Sequence, residues 1–189
     1  MERTEEKITV QEAAHEVEIV CRRLALLHLA FARTLVDDLG EEEGKRLVLK
    51  AIKAYGRLAG HEVRRAVIKQ GLSPEPENYG KGNSRDLPRF GMNEGAAEVE
   101  TAGEKRKRID GCVMAKVWKE YGEEGLGRLY CYVDPAKSMA FNPGYKLVHT
   151  RALPDGDDYC EMCVRPTTER ERRDFTEGDA DWTYIDDPG

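Results

Sequence analysis

Two long segments with apolar residues at helical spacing constrain the fold of this chain most. Between Val10 and Leu39, and again after Gly40, apolar side chains recur every three or four residues, which places them on one face of a helix. The first stripe consists of Val17, Val20, Leu24, Leu27, Phe31 and Leu35, and the second of Leu47, Val48, Ile52, Tyr55, Leu58, Ala59, Val63 and Val67. The acidic run 41–43 suits the first turn of the second helix, where carboxylates favour the helix dipole. The sequence therefore predicts a long helical hairpin.

The rest of the chain predicts shorter elements. Residues 112–121 and 123–133 have helical spacing, and Asp134 followed by Pro135 is typical of a helix cap with proline at the first position. Strands are predicted over 96–109, 145–153 and 158–165, the last two joined as a hairpin by a turn at 154–157. The predicted fold is α+β, with an N-terminal helical hairpin, shorter helices and a small antiparallel sheet ending in a β-hairpin, in one domain over residues 1–166.

Two segments lack such patterns. Residues 73–94 are rich in proline, glycine and asparagine and form a loop of unusual length for a compact domain. Such a loop is either disordered or a functional lid. Residues 167–189 are acidic and poor in apolar groups, which predicts a loosely ordered tail, although Trp182 and Tyr184 could dock.

The charge and the hydropathy of the chain indicate which binding partners and which cellular compartment to expect. The net charge of −6 argues against nucleic acid, which needs a basic face, and the basic run 105–108 has acidic neighbours. No apolar run approaches the roughly 20 residues of a membrane span, and residues 1–6 lack a signal-peptide core. We therefore expect a cytoplasmic protein without a membrane partner, whose five cysteines stay reduced.

Two cysteines lie where a helix could influence their chemistry. Cys112 precedes a predicted helix, whose dipole would stabilise a thiolate and suit a nucleophile. The alternative is that Cys112 is a small buried packing residue. Cys131 and Asp134 are three residues apart and share a helical face. An ionised Asp134 would raise the thiol pKa, so it fits better as a group that orients a histidine or a substrate nitrogen, or as a helix cap.

The predicted hairpin near the C-terminus contributes two further candidates. Strand alternation places Cys160 inward with Met162 and turns Cys163 to the other face, so this Cys-x-x-Cys cannot chelate one ion. His149 lies in the preceding strand and could act as a general base. No cofactor is expected, with a zinc or iron–sulfur site as the alternative. The ligands of such a zinc site would be Cys112, Cys131, Cys160 and His149.

Several short motifs in the second half occur in an order that resembles a known family. They are Arg-Ile-Asp-Gly-Cys at 108–112, Lys-Glu-Tyr-Gly at 119–122, Leu-Tyr-Cys-Tyr-Val-Asp at 129–134, Phe-Asn-Pro at 141–143 and Gly-Asp-Asp-Tyr-Cys at 156–160. Together they resemble the L-2-amino-thiazoline-4-carboxylic acid hydrolase family, although Met162 stands where that family often has an aromatic residue. The resemblance implies ring-opening hydrolysis of a cyclic amidine to an N-carbamoyl amino acid, in which water adds at the amidine carbon and the ring C–S bond breaks.

Within this hypothesis each candidate has a role. The catalytic candidates are Cys112, Cys131, His149 and Cys160, with Cys112 or Cys131 attacking the amidine carbon or polarising water and His149 acting as base. The substrate-binding candidates are Asp134 and Asp157 for the amidinium, and Arg108 or Arg151 for a substrate carboxylate. The expected partner is a small-molecule substrate, and a homo-oligomer is compatible with the sequence. The alternative is a module that binds a small molecule or a metal without catalysis, which resembles the sensory domain of the 4-vinyl reductase group.

Overall fold

The N-terminal half is the predicted helical hairpin, in a computed structural model that describes residues 7–82, 91–178 and 181–188. Helix α1 (Val10–Leu39) packs along helix α2 (Glu41–Lys69). A capping box begins α1: the Thr9 hydroxyl accepts the Glu12 N–H at 3.1 Å, and the Glu12 carboxylate accepts the Thr9 N–H at 2.7 Å. Gly40 separates the helices with a φ of 83°, a conformation that glycine adopts without steric cost.

The helices bury faces that differ from the predicted stripes. Among the large apolar residues of the predicted stripes, five are exposed: Val20, Leu27, Phe31, Tyr55 and Leu58. The buried residues of α1 are Cys21, Ala25, His28, Leu29 and Ala32. Those of α2 are Gly44, Val48, Ile52, Lys53, Gly56, Gly60, Val63 and Val67. Small side chains dominate these faces because they let neighbouring helices approach closely and pack densely.

Shorter helices follow the hairpin. A 3₁₀ turn (Pro76–Asn78) leads into α3 (Tyr79–Gly82), so the first part of the segment predicted as a loop is helical, and residues 83–90 lie outside the described part. The next helices are α4 (Val113–Glu120), α5 (Glu124–Cys131) and α6 (Val133–Phe141). Helix α6 begins one residue before Asp134, so Asp134 lies in its first turn and the predicted cap is wrong.

The four described strands form one antiparallel sheet in the order β1-β2-β4-β3. They are β1 (Gly95–Thr101), β2 (Glu104–Asp110), β3 (Tyr145–Arg151) and β4 (Cys160–Pro166). The single strand predicted over 96–109 is instead a hairpin, because Ala102 and Gly103 turn the chain with φ values of 54° and 76°. The β3–β4 hairpin is the predicted one, and with the helices it confirms the α+β class.

The two faces of the sheet carry different cysteines. Cys160 pairs with Ile109 and joins it and Met162 in an apolar cluster. Cys163 pairs with Val148 and therefore lies on the opposite face, as strand alternation predicts. Cys163 is nevertheless buried, so both faces of this hairpin are covered.

The described residues after β4, which the sequence predicts as a loosely ordered tail, include a helix and a turn. They form α7 (Glu169–Thr176) and a 3₁₀ turn (Thr183–Asp186). Their apolar side chains are few, but Phe175, Trp182 and Ile185 are all buried and pack with Ala136 and Met139 of α6. Two buried lysines bind the same segment: Lys53 donates to the Glu177 carbonyl at 2.8 Å and Lys146 donates to Glu171 at 2.7 Å.

The main apolar core lies between α1, α2, α4 and α5. At its centre Trp118 is buried and stacks at tilted angles with His28 and Tyr130. His28 is a satisfied core residue, because its Nε2 lies 2.8 Å from the Leu126 carbonyl. Within residues 7–82, 91–178 and 181–188, no helix combines the length and the apolar character that crossing a bilayer requires.

Candidate functional site

The centre of the candidate site is His149, which β3 holds between two carboxylates. Its Nε2 lies 3.5 Å from Oδ2 of Asp134, in the first turn of α6, and its Nδ1 lies 3.1 Å from Oδ1 of Asp186, in the C-terminal 3₁₀ turn. Asp186 Oδ1 also accepts the backbone N–H of His149 at 3.0 Å. The imidazole is 4% exposed and the Asp186 carboxylate 3%, whereas Asp134 is 19% exposed. Asp134 is therefore the carboxylate on the solvent side.

This geometry defines what His149 can do with a proton. A carboxylate oxygen accepts hydrogen bonds, so we assign the hydrogen of the neutral ring to Nδ1, which lies 3.1 Å from Asp186 Oδ1. The basic nitrogen of the neutral ring is then Nε2, on the side of Asp134. The ring thus has a carboxylate on the side of each of its two nitrogens.

Cations flank both carboxylates. On the Asp134 side, Lys137 is one turn further along α6 and forms an ion pair with Asp134. Burial opposes ionisation of Asp134, but Lys137 and His149 outweigh it and hold the pKa of this carboxyl below its ordinary value. On the other side, Arg128 Nη2 lies 2.7 Å from Asp186 Oδ2. Lys137, Asp134, His149, Asp186 and Arg128 thus form one row of contacts with a cation at each end.

Arg128 also holds the site to the β3–β4 connection. Its Nε donates to Asp155 at 2.8 Å, while its Nη2 donates to Asp186. Burial opposes the charge on Arg128, but the attraction of Asp186 outweighs it, so the pKa of the guanidinium is raised. Arg128 therefore stays charged and binds Asp186 beside His149.

The three candidate thiols lie near this group, and all are held in the neutral form. Cys112 precedes α4, Cys131 ends α5 and Cys160 begins β4. Burial raises the pKa of each, that of Cys160 to about 11, and the negative charge of Asp134 raises it further. Cys160 Sγ in addition accepts the Leu153 N–H at 3.3 Å.

The expectation that a helix dipole activates Cys112 is wrong. The amides of Met114 and Ala115 do lower its pKa, but burial raises it by more. Helix α4 has only eight residues, and the dipole effect is confined to its first turn, whereas desolvation acts on the whole thiolate. Cys112 is thus a protonated thiol at neutral pH.

Arg108 is a predicted substrate ligand that lies away from His149. It precedes Ile109, which pairs with Cys160, so Arg108 projects from the other face of the sheet. Its guanidinium pairs with Asp110 at 2.8 Å and stacks 4.0 Å from the ring centroid of Tyr159. These contacts make it part of an outer charged surface.

Arg151 and Asp157 meet at the β3–β4 connection. Arg151 is about half exposed, lies 3.8 Å from Asp157 and stacks on the Tyr159 ring at 5.3 Å from its centroid. The other Asp157 oxygen accepts the Ala152 N–H at 2.8 Å and so closes the turn. Asp157 therefore stabilises the turn. Of the four predicted substrate ligands, Asp134 lies beside His149, whereas Asp157, Arg108 and Arg151 lie elsewhere.

Four charged residues at the site were not predicted. They are Lys107, Arg128, Lys137 and Asp186. Lys137 follows Asp134 by three residues on a helix, a spacing that does signal an ion pair. Lys107 pairs in register with Met162 on the inward face, and its charge contributes to the lowered pKa of Asp134. Asp186 has no such local signal, because its partner His149 is 37 residues away.

The donor atoms do not form a metal site in the described part of the chain. Across residues 7–82, 91–178 and 181–188, no three or more His, Cys, Asp or Glu side chains are grouped so that they could hold a metal ion.

Fold and site together define an α+β protein in which a helical hairpin and a small antiparallel sheet bring a histidine, two carboxylates and three thiols together. A family model described as L-2-amino-thiazoline-4-carboxylic acid hydrolase matches residues 20–164, and the chain belongs to this family. The matched range contains Asp134 and His149 and ends before Asp186. No curated protein and no solved structure matches the chain.

Proposed function

We propose that this protein is a hydrolase that opens the ring of a cyclic amidine, with L-2-amino-thiazoline-4-carboxylate as the first substrate to test. The observation that carries the proposal is the buried His149 with Asp134 at 3.5 Å from its Nε2, within the range that the family model matches. The family description supplies the substrate class. The site supplies a base and a negative group for an amidinium cation.

The proposed reaction needs only water as co-reactant. His149 Nε2 takes a proton from water as the oxygen forms a bond to the amidine carbon, which becomes tetrahedral. The C–S bond then breaks with its electron pair on sulfur, the added hydroxyl becomes the carbonyl and releases its proton to solvent, and the imidazolium returns the other proton to the leaving thiolate. The product is an N-carbamoyl amino acid with a free thiol. Asp134 binds the amidinium nitrogens through charge-assisted hydrogen bonds and so keeps the amidine in its protonated form, which is more electrophilic than the neutral one.

Water is a better nucleophile for this site than a cysteine. A thiolate at Cys112, Cys131 or Cys160 would have to form next to Asp134 and away from solvent, and burial raises the pKa of all three thiols. We assign these cysteines to the wall of the substrate pocket. The substrate carboxylate would be bound by Lys107 on the inward face of β2, in place of Arg108 and Arg151.

The test is turnover by purified protein, with the N-carbamoyl product measured by chromatography and mass spectrometry. His149→Gln is expected to lower kcat by about 10²–10⁴, the usual contribution of a general base. Asp134→Asn should chiefly raise KM, because it removes the charge that binds the cation. Cys163→Ala is the matched control, a buried cysteine on the opposite face of the sheet, and should leave the rate unchanged.

Two results would overturn the proposal or its mechanism. Failure of the wild-type protein to open any cyclic amidine, under conditions where it is folded, removes the hydrolase function. A loss in Cys112→Ala as large as that in His149→Gln would restore the thiol as nucleophile. We expect Cys112→Ala to lose less than about tenfold, because it removes a wall residue only.

The second candidate function is a binding module that does not turn its ligand over. The observation that favours it is that Cys160 is buried, Cys112 and Cys131 are partly buried, and burial raises the pKa of all three thiols, a state suited to packing against a ligand. Calorimetric titration with the thiazoline, followed by product analysis of the same sample, separates the two functions. Saturable binding without product would establish the module.

A further inference from the structure

We propose that Asp186 is the positioning residue for His149, so that the C-terminal turn completes the active site; this inference rests on the proposed role of His149 as base. Asp186 lies beyond residues 20–164, the range that the family model matches. The family pattern alone therefore assigns no role to this residue or to its turn.

Asp186 is bound by three donors, and two of them belong to His149. Its Oδ1 accepts the His149 backbone N–H at 3.0 Å and lies 3.1 Å from the ring Nδ1, and its Oδ2 accepts from Arg128 at 2.7 Å. Because Asp186 contacts both the backbone and the ring of His149, it fixes the orientation of the ring as well as the distance between the ring and the carboxylate. The carboxylate leaves Nε2 as the basic nitrogen, on the side of Asp134 where a substrate amidinium would bind.

The turn that carries Asp186 is anchored on both sides. Trp182 and Ile185 are buried against Ala136 and Met139 of α6, the helix that also carries Asp134. After the turn, Lys146 Nζ donates to the Asp187 carbonyl at 3.0 Å. Helix α6 thus holds both carboxylates that flank His149, because it carries Asp134 and the turn that carries Asp186 packs against it.

The experiment compares Asp186→Asn with Asp155→Asn. Both variants remove one carboxylate from Arg128, but only the first contacts His149. We expect Asp186→Asn to lower kcat by about 10²–10⁴, with little change in KM, because an asparagine amide can donate to Nδ1 and favour the wrong tautomer. Asp155→Asn should stay within about twofold of the wild type.

A readout that does not depend on turnover is the nitrogen NMR spectrum of His149. In spectra recorded on the basic side of the imidazole titration, the wild type and Asp155→Asn should show hydrogen on Nδ1, and Asp186→Asn should show hydrogen on Nε2. In the pH profile of kcat/KM, the acid limb should move to lower pH in Asp186→Asn, because the imidazolium loses one of its two negative neighbours. If Asp186 had only a structural role, Asp186→Asn would change neither the tautomer of His149 nor the acid limb of the kcat/KM profile.

The outcomes separate this inference from the proposed function. If the wild type turns over no amidine but Asp186→Asn still switches the tautomer, the hydrolase proposal fails and the positioning role stands. An unchanged tautomer in Asp186→Asn, or equal losses of activity in both variants, overturns the positioning role. If Asp186→Asn does not fold, Asp186→Glu decides: it must keep hydrogen on Nδ1, and the opposite tautomer in that variant refutes the inference.

Discussion

The close contact between α2 and α6 yields a prediction that can be worked out from distances. A Cβ placed on Gly60 would lie 2.2 Å from the Lys137 carbonyl oxygen and 2.7 Å from the Ala140 Cβ. Ordinary contacts begin near 3.4 Å, so Gly60→Ala must separate the two helices by about 1 Å. The clash is with backbone, which cannot rotate away as a side chain could.

Two opposing effects determine how much Gly60→Ala changes the free energy of unfolding. Overpacking destabilises a protein by about 1–3 kcal/mol, and because the clash here is with backbone we expect a destabilisation of about 3 kcal/mol for Gly60→Ala. Alanine is a better helix former than glycine and returns about 1 kcal/mol. The net expectation is that Gly60→Ala lowers the free energy of unfolding by about 2 kcal/mol.

The assay is urea unfolding followed by tryptophan fluorescence, since Trp118 and Trp182 are both buried. The matched control is Gly125→Ala in α5, where an added Cβ meets nothing within 4 Å. That variant should gain about 0.5–1 kcal/mol from helix propensity alone. A Gly60→Ala protein as stable as the wild type, or stabilised like the control, would refute the packing argument.

Three further predictions concern the C-terminal segment and the thiols. Thr168→Ala removes the capping bond to the Glu171 N–H at 3.2 Å and should cost about 1 kcal/mol in urea unfolding. Burial opposes ionisation of Glu171, but Lys146 lowers its pKa below 4.5. The stability lost in Glu171→Gln should therefore be largest above pH 4.5 and vanish as pH falls through the lowered pKa; a pH-independent difference would contradict it. With a pKa of about 11, Cys160 should resist iodoacetamide at pH 8 until urea is added, as read by peptide mass spectrometry.

The helices could be predicted from the sequence, but their buried faces could not. Spacing of large apolar residues and the break at Gly40 are local signals, and the two long helices follow from them. The buried face of α2 includes Gly44, Gly56 and Gly60, which carry no hydropathy signal at all. Their importance comes from the backbone of a neighbouring helix, and that is a tertiary property.

In the candidate site, too, some residues could be predicted from local sequence and others depend on tertiary structure. His149 and Asp134 could be selected by residue type and by their place in predicted elements. The activation of Cys112 was inferred from a helix end, whereas burial by distant elements determines its pKa. Asp186 could not be selected, because its segment appeared to be a solvated acidic tail, and only the docking of Trp182 and Ile185 brings it to the site.

The hydrogen bond from the His149 backbone to Asp186 also has a consequence for self-association. Strand β3 is at one edge of the sheet, and its outward N–H would otherwise be available to a strand of another molecule. At the opposite edge, β1 carries exposed Glu98 and Glu100, whose charges repel such pairing. A chain whose C-terminal turn had detached would keep the protected β1 edge and lose the protection of the β3 edge, so we expect such chains to pair through β3.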